Sequence, residues 1–410
     1  MTGLLYRFRF PMLLIAAALG WLIVFAWLSQ MDRQGIIYAD STSYVESARN
    51  LYLYLRGHNY RPMLMAAING LPYLFGFGDA AVYEFSFYVN VCCWMATTLM
   101  LFALLKTFVR PKVAFLFALA FLFTLGNVAY VFHLLTENIY LFCIVSAFYF
   151  LSRYYKSKRF GYLSVGVSIM VLAMLIRPGS MLLAVVAVLF FLREIIGHWR
   201  EKAALFLYGS FALVLVQCAG MKHQFGNFTI SYIDAVTYYG YLGSRAEALK
   251  NGVPYIQENN PRGVAMYGLP MPEQKKLASE DFKKQLTTNT ANFFKAYVID
   301  LFDNTKSGNT ALMDCRNVDD SASFAAPQLF WISKWQNRAL TLVGFVLALA
   351  FFLRGYRKEP FYFLAAGYIL YIILLSGVSC SQGDRFHIVT YPMVLLLLAK
   401  WLAERKVFAP

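Results

Sequence analysis

Residues Pro11 to Gln30 read PMLLIAAALGWLIVFAWLSQ, an apolar run behind Arg7 and Arg9. A helix of roughly 20 such residues crosses the hydrocarbon of a bilayer. No small-residue cleavage site follows, so the run is expected to remain as an uncleaved first span. Working outward, the same rule gives further spans near 84–105, 113–128, 136–152, 161–176, 181–196, 203–220, 339–354, 360–379 and 387–403, ten in all. Hydrophobic residues make up 59% of the 410 and charged residues 14%, where a soluble domain carries about a quarter charged. Mean hydropathy is +0.52. The expected fold class is an all-α polytopic membrane protein.

The formal charge of +15 would suit a nucleic-acid binder, but the basic residues sit between hydrophobic runs. With the N-terminus inside, alternate connections carry Lys106, Arg110 and Lys112; Arg153, Lys156, Lys158 and Arg159; Arg193, Arg200 and Lys202; Arg354, Arg357 and Lys358; then Arg405 and Lys406. That is the positive-inside pattern, and it places both termini in the cytoplasm. No nucleic-acid partner is expected; the partner is the lipid bilayer. The opposite face receives the first outer loop (31–83), the turns at 127–137 and 177–179, a long segment of 221–338 and the turn at Asp384-Arg385. The chain divides into an N-terminal transmembrane module (1–220), this extracytoplasmic segment and the C-terminal helices (339–410).

The first loop carries Tyr38-Ala39-Asp40-Ser41-Thr42-Ser43-Tyr44-Val45-Glu46. Ser43 and Glu46 have capping-box spacing, predicting a helix from Ser43. Tyr44, Ala48, Leu51 and Leu55 share its apolar face, and Gly57 is the expected stop. Such a helix is too short and charged to span, so it lies on the surface and leaves Asp40 just ahead of it, where lipid meets water. A carboxylate there can take a proton from an acceptor hydroxyl, hold a divalent cation such as Mg or Mn, or simply cap the helix. Tyr44 and Glu46 would position the helix or the acceptor. Arg61-Pro62 suits a second helix start, and Gly70-Leu71-Pro72 its end.

Glu137 heads the fourth span, where an acid is either functional or a first-turn residue favoured by the helix dipole. Arg61, Arg177 and Arg385 are basic on the face that the positive-inside rule does not favour, and guanidinium matches phosphate oxygens; each has the alternative of snorkelling to lipid headgroups. His58, His133, His223 and His387 share that face without metal-ligand spacing. Cys92, Cys93 and Cys143 lie in apolar runs, and Cys218, Cys315 and Cys380 leave one disulfide open without fixing its partners. In the long segment, Pro272 to Asp303 has a helical pattern.

In order along the chain, Asp40 to Tyr44, Arg61-Pro62, His133-Leu134-Leu135-Thr136-Glu137, Arg177-Pro178, and Asp384-Arg385 through Tyr391-Pro392 resemble the motifs of the GT-C integral-membrane glycosyltransferases, in the branch of protein O-mannosyltransferases and lipid A aminoarabinose transferases. The resemblance covers roughly 1–220 and 339–403; the segment between matches no known pattern. It implies a sugar carried on a polyprenyl phosphate, transferred outside the cytoplasm to a glycan, lipid or protein acceptor, with inversion if the displacement is direct. It also implies catalytic roles for Asp40 and Glu137 and a donor-phosphate site of Arg385, Arg177, Arg61 and His133. Many relatives have an Asp-Glu pair where this chain has Asp40-Ser41, so the metal requirement of some members does not carry over. A bacterial inner membrane is the expected location. A ligase or polymerase of polyprenyl-linked glycans and a flippase or transporter are the alternatives; no pair of broken spans recurs in the two halves, as a transporter would require.

Overall fold

The computed structural model describes residues 2–33, 40–257, 259–313, 325–355, 357–380 and 382–405. Tyr38, Ala39, Cys315 and Lys406 of the expectations above lie outside these. Among the described residues the regular structure is helical, with no strand.

Eleven helices make up the N-terminal half: α1 (Thr2–Ser29), α2 (Ser41–Tyr54), α3 (Met63–Asn69), α4 (Asp79–Leu105), α5 (Pro111–Leu122), α6 (Leu125–Ala129), α7 (Glu137–Ser157), α8 (Phe160–Ala173), α9 (Met181–Phe190), α10 (Leu192–Gly197) and α11 (Ala204–Phe225). The outer segment follows as α12 (Ile233–Val236), a π-helical turn at Thr237–Gly243, α13 (Ser244–Lys250), α14 (Pro261–Tyr267), α15 (Met271–Thr288), α16 (Thr290–Lys306) and α17 (Thr310–Met313). Three helices close the chain: α18 (Ala326–Arg354), α19 (Pro360–Ser376) and α20 (Tyr391–Glu404).

All ten expected spans fall on helices. Among the described residues, Phe8–Ser29, Asp79–Leu105, Ala204–Phe225, Ala326–Arg354 and Gly383–Glu404 are long and apolar enough to cross a membrane alone. Pro111–Leu122 and Leu125–Phe132, bent by 57°, make a sixth. Phe160–Ala173, Pro178–Phe190 and Pro360–Ser376 are shorter apolar helices. The bend is where the sequence predicted one straight span over 113–128. A broken span leaves backbone groups unpaired, which a membrane does not tolerate. Gln336 of α18 answers both sides: it accepts from Leu125 N–H at 2.9 Å and donates to Phe123 O at 3.1 Å.

Three local expectations are corrected. The first-loop helix begins at Ser41, and Asp40, its N-cap, makes no side-chain capping bond. The Ser43 hydroxyl donates to Asp40 O at 2.7 Å, and no capping box forms. The helix stops at Tyr54, with Leu55 in the left-handed region at φ 52° and exposed instead of packed on the apolar face. The predicted 272–303 helix is two helices parted at Asn289, whose side-chain amide donates to Ala246 O and Gln285 Oε1. Helix α18 begins at Ala326, well ahead of residue 339, because one face of its first turns packs on the 221–338 segment through Ser333 and Asn337.

The outer segment grips both halves of the membrane module. The Asn304 amide donates to Ser376 O at 2.9 Å and Ser379 O at 2.7 Å, and its Oδ1 accepts from Gln382 N–H at 2.9 Å. Across the module, Tyr232 N–H donates to Asn59 O, Ser231 to Tyr60 O, and Tyr60 OH to Gln274 Oε1. The residues preceding Arg61 and those preceding Arg385 are thereby held by one body.

In that body Asp300 is fully buried and meets Arg245 at 2.8 Å, with Asp303 on the same guanidinium. Burial raises its carboxyl to about 7, against the pull of Arg245 and with the charge of Asp303 adding to the rise. An unfolded aspartate titrates near 4, so between about pH 4 and 7 the native state binds more protons and stability falls as pH rises. The thermal midpoint should therefore drop between pH 5 and 7, and Asp300→Asn, neutral throughout, should flatten that slope in a pH series of unfolding curves.

Candidate active site

Five side chains from five separate stretches form one alternating row of charge. Asp40 stands at the start of α2, Arg61 before α3, Glu137 in the first turn of α7, Arg177 ahead of the short 3-10 turn Pro178–Ser180, and Arg385 in the 3-10 turn Gly383–Arg385. Arg61 Nη2 donates to Asp40 Oδ1 at 2.7 Å, and Arg385 Nη1 donates to Asp40 Oδ2 at 2.6 Å. Arg385 Nε donates to Glu137 Oε1 at 2.6 Å, and Arg177 Nη1 lies 3.6 Å from the same oxygen. The order is Arg61, Asp40, Arg385, Glu137, Arg177. Three cations against two anions leave a surplus of one positive charge.

Local sequence explains these placements. Pro178 pushes Arg177 into an extended conformation, φ −132° and ψ 102°, which turns the chain at the end of α8. Gly383 has φ 59°, and a Cβ there would lie 2.6 Å from Gly308 O, so only glycine turns the chain tightly enough to set Arg385. Gly126 has a similar role: a Cβ would fall 2.5 Å from Asp384 Oδ2. Asp384 itself is buried and takes the Asn309 amide at 3.1 Å and 3.3 Å. Glu137 gains from the dipole of α7 as well as from its arginines.

The two ends of the row differ. Glu137 is 1% exposed in its side chain, whereas Asp40 is 33% exposed, so the row opens at Asp40. Burial alone would raise the Asp40 carboxyl, but Arg385 and Arg61 outweigh it and hold it well below the usual carboxylate range. Arg61 is fixed further by Ser43 Oγ at 2.8 Å, Tyr44 OH at 3.3 Å and the Tyr44 ring, 4.3 Å beneath its guanidinium. Arg177 rests 4.9 Å over Phe386 and 5.8 Å over Tyr140. Its Nη1 is buried and makes no hydrogen bond, since the Glu137 contact is longer than one. A buried donor left over beside a surplus of positive charge is suited to an incoming anion.

The remaining candidates sit apart. Glu46 points away and pairs with His58 at 3.7 Å. His133 is buried beneath the site, its carbonyl accepting from Asn90 at 2.8 Å and its ring 6.4 Å from Tyr130. His387 lies with Asn337 and Ser376 in the core. Two residues that sequence reasoning did not select lie near enough to feel the Asp40 charge. Tyr241 of the π-helical turn and Tyr267 of α14 both have phenols pushed up by burial and then by the Asp40 charge, Tyr241 to about 12. Tyr267 also meets Tyr60 edge to face at 6.4 Å. The one signal for them was aromatic content in the outer segment, which does not single out either.

Among solved structures, this chain is similar to those of ArnT. Against the crystal structure of ArnT, an aminoarabinose transferase, from Cupriavidus metallidurans bound to undecaprenyl phosphate, the identity is 14% and the TM-score 0.40, covering 94% of this chain and 78% of that one. Against the apo structure of the same protein the values are 13% and 0.37, covering 92% and 78%. No family model and no curated protein matches the chain. Neither likeness, at this identity and TM-score, extends to substrate or mechanism.

For a metal, the donors matter. Both Asp40 oxygens face guanidinium groups, and among the described residues no three His, Cys, Asp or Glu side chains gather as ligands. Two arginines do not make a cation site, so the residues around Asp40 do not fit the divalent ion and no step below passes through one.

Removing one partner of a buried ion pair costs about 3–5 kcal/mol, because the other is left uncompensated. Arg385→Gln should therefore destabilise strongly, leaving Glu137 with Arg177 alone. The double variant Arg385→Gln/Glu137→Gln should recover much of that loss, which unfolding midpoints of the four proteins in detergent would measure as a coupling.

Proposed function

We propose that the protein is a membrane glycosyltransferase that moves a sugar from a polyprenyl-phosphate donor to an acceptor on the extracytoplasmic face. The observation that carries this reading is the alternating row itself: three arginines, one with an unused buried donor, around two carboxylates at one end of a helical membrane module. A leaving phosphate needs fixed positive charge where its own charge develops. Guanidinium supplies it in a geometry matched to phosphate oxygens.

A lipid-borne donor needs an apolar path leading away from those arginines. A cavity of about 270 Å³ runs between α7, α8, α9 and α19, lined by Phe148, Leu151, Met170, Leu183, Tyr368 and Tyr371 among others. Its Tyr371 donates a hydrogen bond to Gly179 O, two residues from Arg177. The tail would enter there, and the phosphate would lie toward Arg177 and Arg385.

The ionisation of Asp40 sets the order of events. Held low by two arginines, it is a poor proton acceptor at neutral pH, since a general base works best with its pKa near the operating pH. Donor phosphate competes for Arg385 and Arg61, and each hydrogen bond it takes from Asp40 raises the basicity of that carboxylate. Asp40 then accepts the acceptor's hydroxyl proton as that oxygen bonds to the anomeric carbon. The bond from that carbon to the phosphate oxygen breaks, and the electron pair leaves with the polyprenyl phosphate. One displacement inverts the anomeric centre. Glu137, buried behind Arg385, positions the guanidinium and does not touch the sugar.

Purified protein given a panel of polyprenyl-phosphate sugars should turn one over, and Asp40→Asn should reduce that turnover by about 10²–10⁴-fold, the usual contribution of a general base, with its unfolding curve still cooperative. EDTA should leave the rate unchanged. Turnover in Asp40→Asn at the wild-type rate would remove Asp40 from the chemistry, and the absence of turnover with any carrier-linked sugar would remove the reading.

A further inference from the structure

Helix α16 has three faces. Phe293, Ala296, Asp300 and Asn304 form the buried one, with Phe293 and Ala296 packed on Leu242 and Ala246. Lys295 and Lys306, both exposed, and the half-exposed Asp303 form a polar one. The third consists of Phe294, Val298 and Phe302, which are four residues apart and so share one side of the helix. They are 56%, 45% and 58% exposed. At 1.5 Å per residue this stripe is about 12 Å long, and none of the hydrogen bonds or ion pairs described above uses it.

The depth at which α16 lies says what the stripe meets, and contacts on two sides fix that depth. On one side the Tyr297 hydroxyl donates to Leu374 O at 2.7 Å, within the last turn of α19. Glycine at 377 permits this approach, since a Cβ there would fall 2.5 Å from the Tyr297 ring. On the other side the Asn337 amide of α18 donates to Asn304 O and Ser307 O, each at 2.8 Å, and Arg338 donates to Lys306 O at 3.2 Å. These contacts lie on α18 between Trp335 and the apolar stretch that follows residue 339. Trp331 and Trp335 are exposed, with their rings edge to face at 5.9 Å. Exposed tryptophans on a spanning helix collect where hydrocarbon meets water. Helix α16 therefore lies at that boundary, its stripe exposed at the level of Leu374 on α19 and Trp335 on α18, which are exposed too.

We infer that α16 docks on the bilayer itself. Phe294, Val298 and Phe302 insert among the acyl chains of the leaflet beside the outer segment, the helix axis runs along the membrane surface, and Lys295 and Lys306 reach the headgroups. A helix that lies in the interface buries its apolar face in this way, while lysines on its flank extend to the phosphates. The Lys306 ammonium, 5.8 Å from the Phe302 ring centre, stands at that border. A second copy of the chain would have to displace lipid from this level to reach the stripe. The inference does not depend on the transferase reading and is tested without any sugar donor.

The unaltered full-length chain would be placed at one copy per nanodisc of phosphatidylcholine, doped with a phosphatidylcholine that bears a diazirine on its acyl chain, then irradiated and digested for mass spectrometry. The label should fall on the peptide from Phe294 to Phe302 as strongly as on Leu342 and Val346, exposed in the apolar stretch of α18, and only weakly on the exposed Ser279 and Glu280 of α15. Separately, Phe294→Cys, Phe302→Cys and Lys295→Cys in the same discs would be alkylated with a charged, membrane-impermeant maleimide. The reaction is read peptide by peptide, so the native cysteines do not interfere. Lys295→Cys should react many times faster than the other two. Equal rates, or lipid labelling of Phe294 to Phe302 no stronger than that of α15, would overturn the inference. Slow alkylation at 294 and 302 without lipid label would put protein on the stripe and overturn it as well.

Discussion

Everything in the charged row depends on one guanidinium. Arg385 gives one nitrogen to Asp40, from the first loop, and another to Glu137, from the head of α7. It thereby joins three parts of the chain that have no backbone contact reason to meet. A buried ion pair is not by itself a strong source of stability, because desolvation offsets most of the attraction. What it does impose is register. With both acids fixed on one planar group, the loop carrying Asp40 cannot slide relative to α7 without exposing or isolating a charge.

The outer segment works in the same sense. Asn304 gives both of its amide hydrogens to Ser376 O and Ser379 O and accepts from Gln382 N–H, and the 231–232 backbone and Ser231 hydroxyl hold Asn59 and Tyr60. Those two stretches lead directly into Arg385 and Arg61. The segment that most resembles an insertion in the sequence is thus what fixes the spacing of two arginines across Asp40, and it also brings Tyr241 and Tyr267 within reach of the Asp40 charge.

Much of this was legible in the sequence, for physical reasons. Apolar runs of spanning length and basic connections on alternate sides are composition-level signals, so the helical membrane class and the helix order followed from them. Asp40, Arg61, Glu137, Arg177 and Arg385 stood out because each is ionisable on the face where charge is not needed for topology. What stayed hidden was set by contacts far apart in sequence. Ser43 and Glu46 have capping spacing, yet the Ser43 hydroxyl is spent on Asp40 O and Arg61 and Glu46 turns to His58, so no box forms. The break between α5 and α6 is stable only because Gln336, over two hundred residues later, supplies its hydrogen bonds. Asp384 and Asn309 are ordinary polar residues until Gly126 makes room for them.

The row's charge balance links structure to chemistry. Were Asp40 free in water, nothing would favour one hydroxyl over another at its carboxylate. Because two arginines hold it, its basicity is withheld until another anion competes for them, and the unused donor on Arg177 with the surplus positive charge favours that competitor over water. Under the proposed function, a carboxylate released only when phosphate is bound would couple proton removal to the presence of the donor. In the proposed transferase, the groups that would hold the leaving phosphate are the groups that keep Asp40 silent without it.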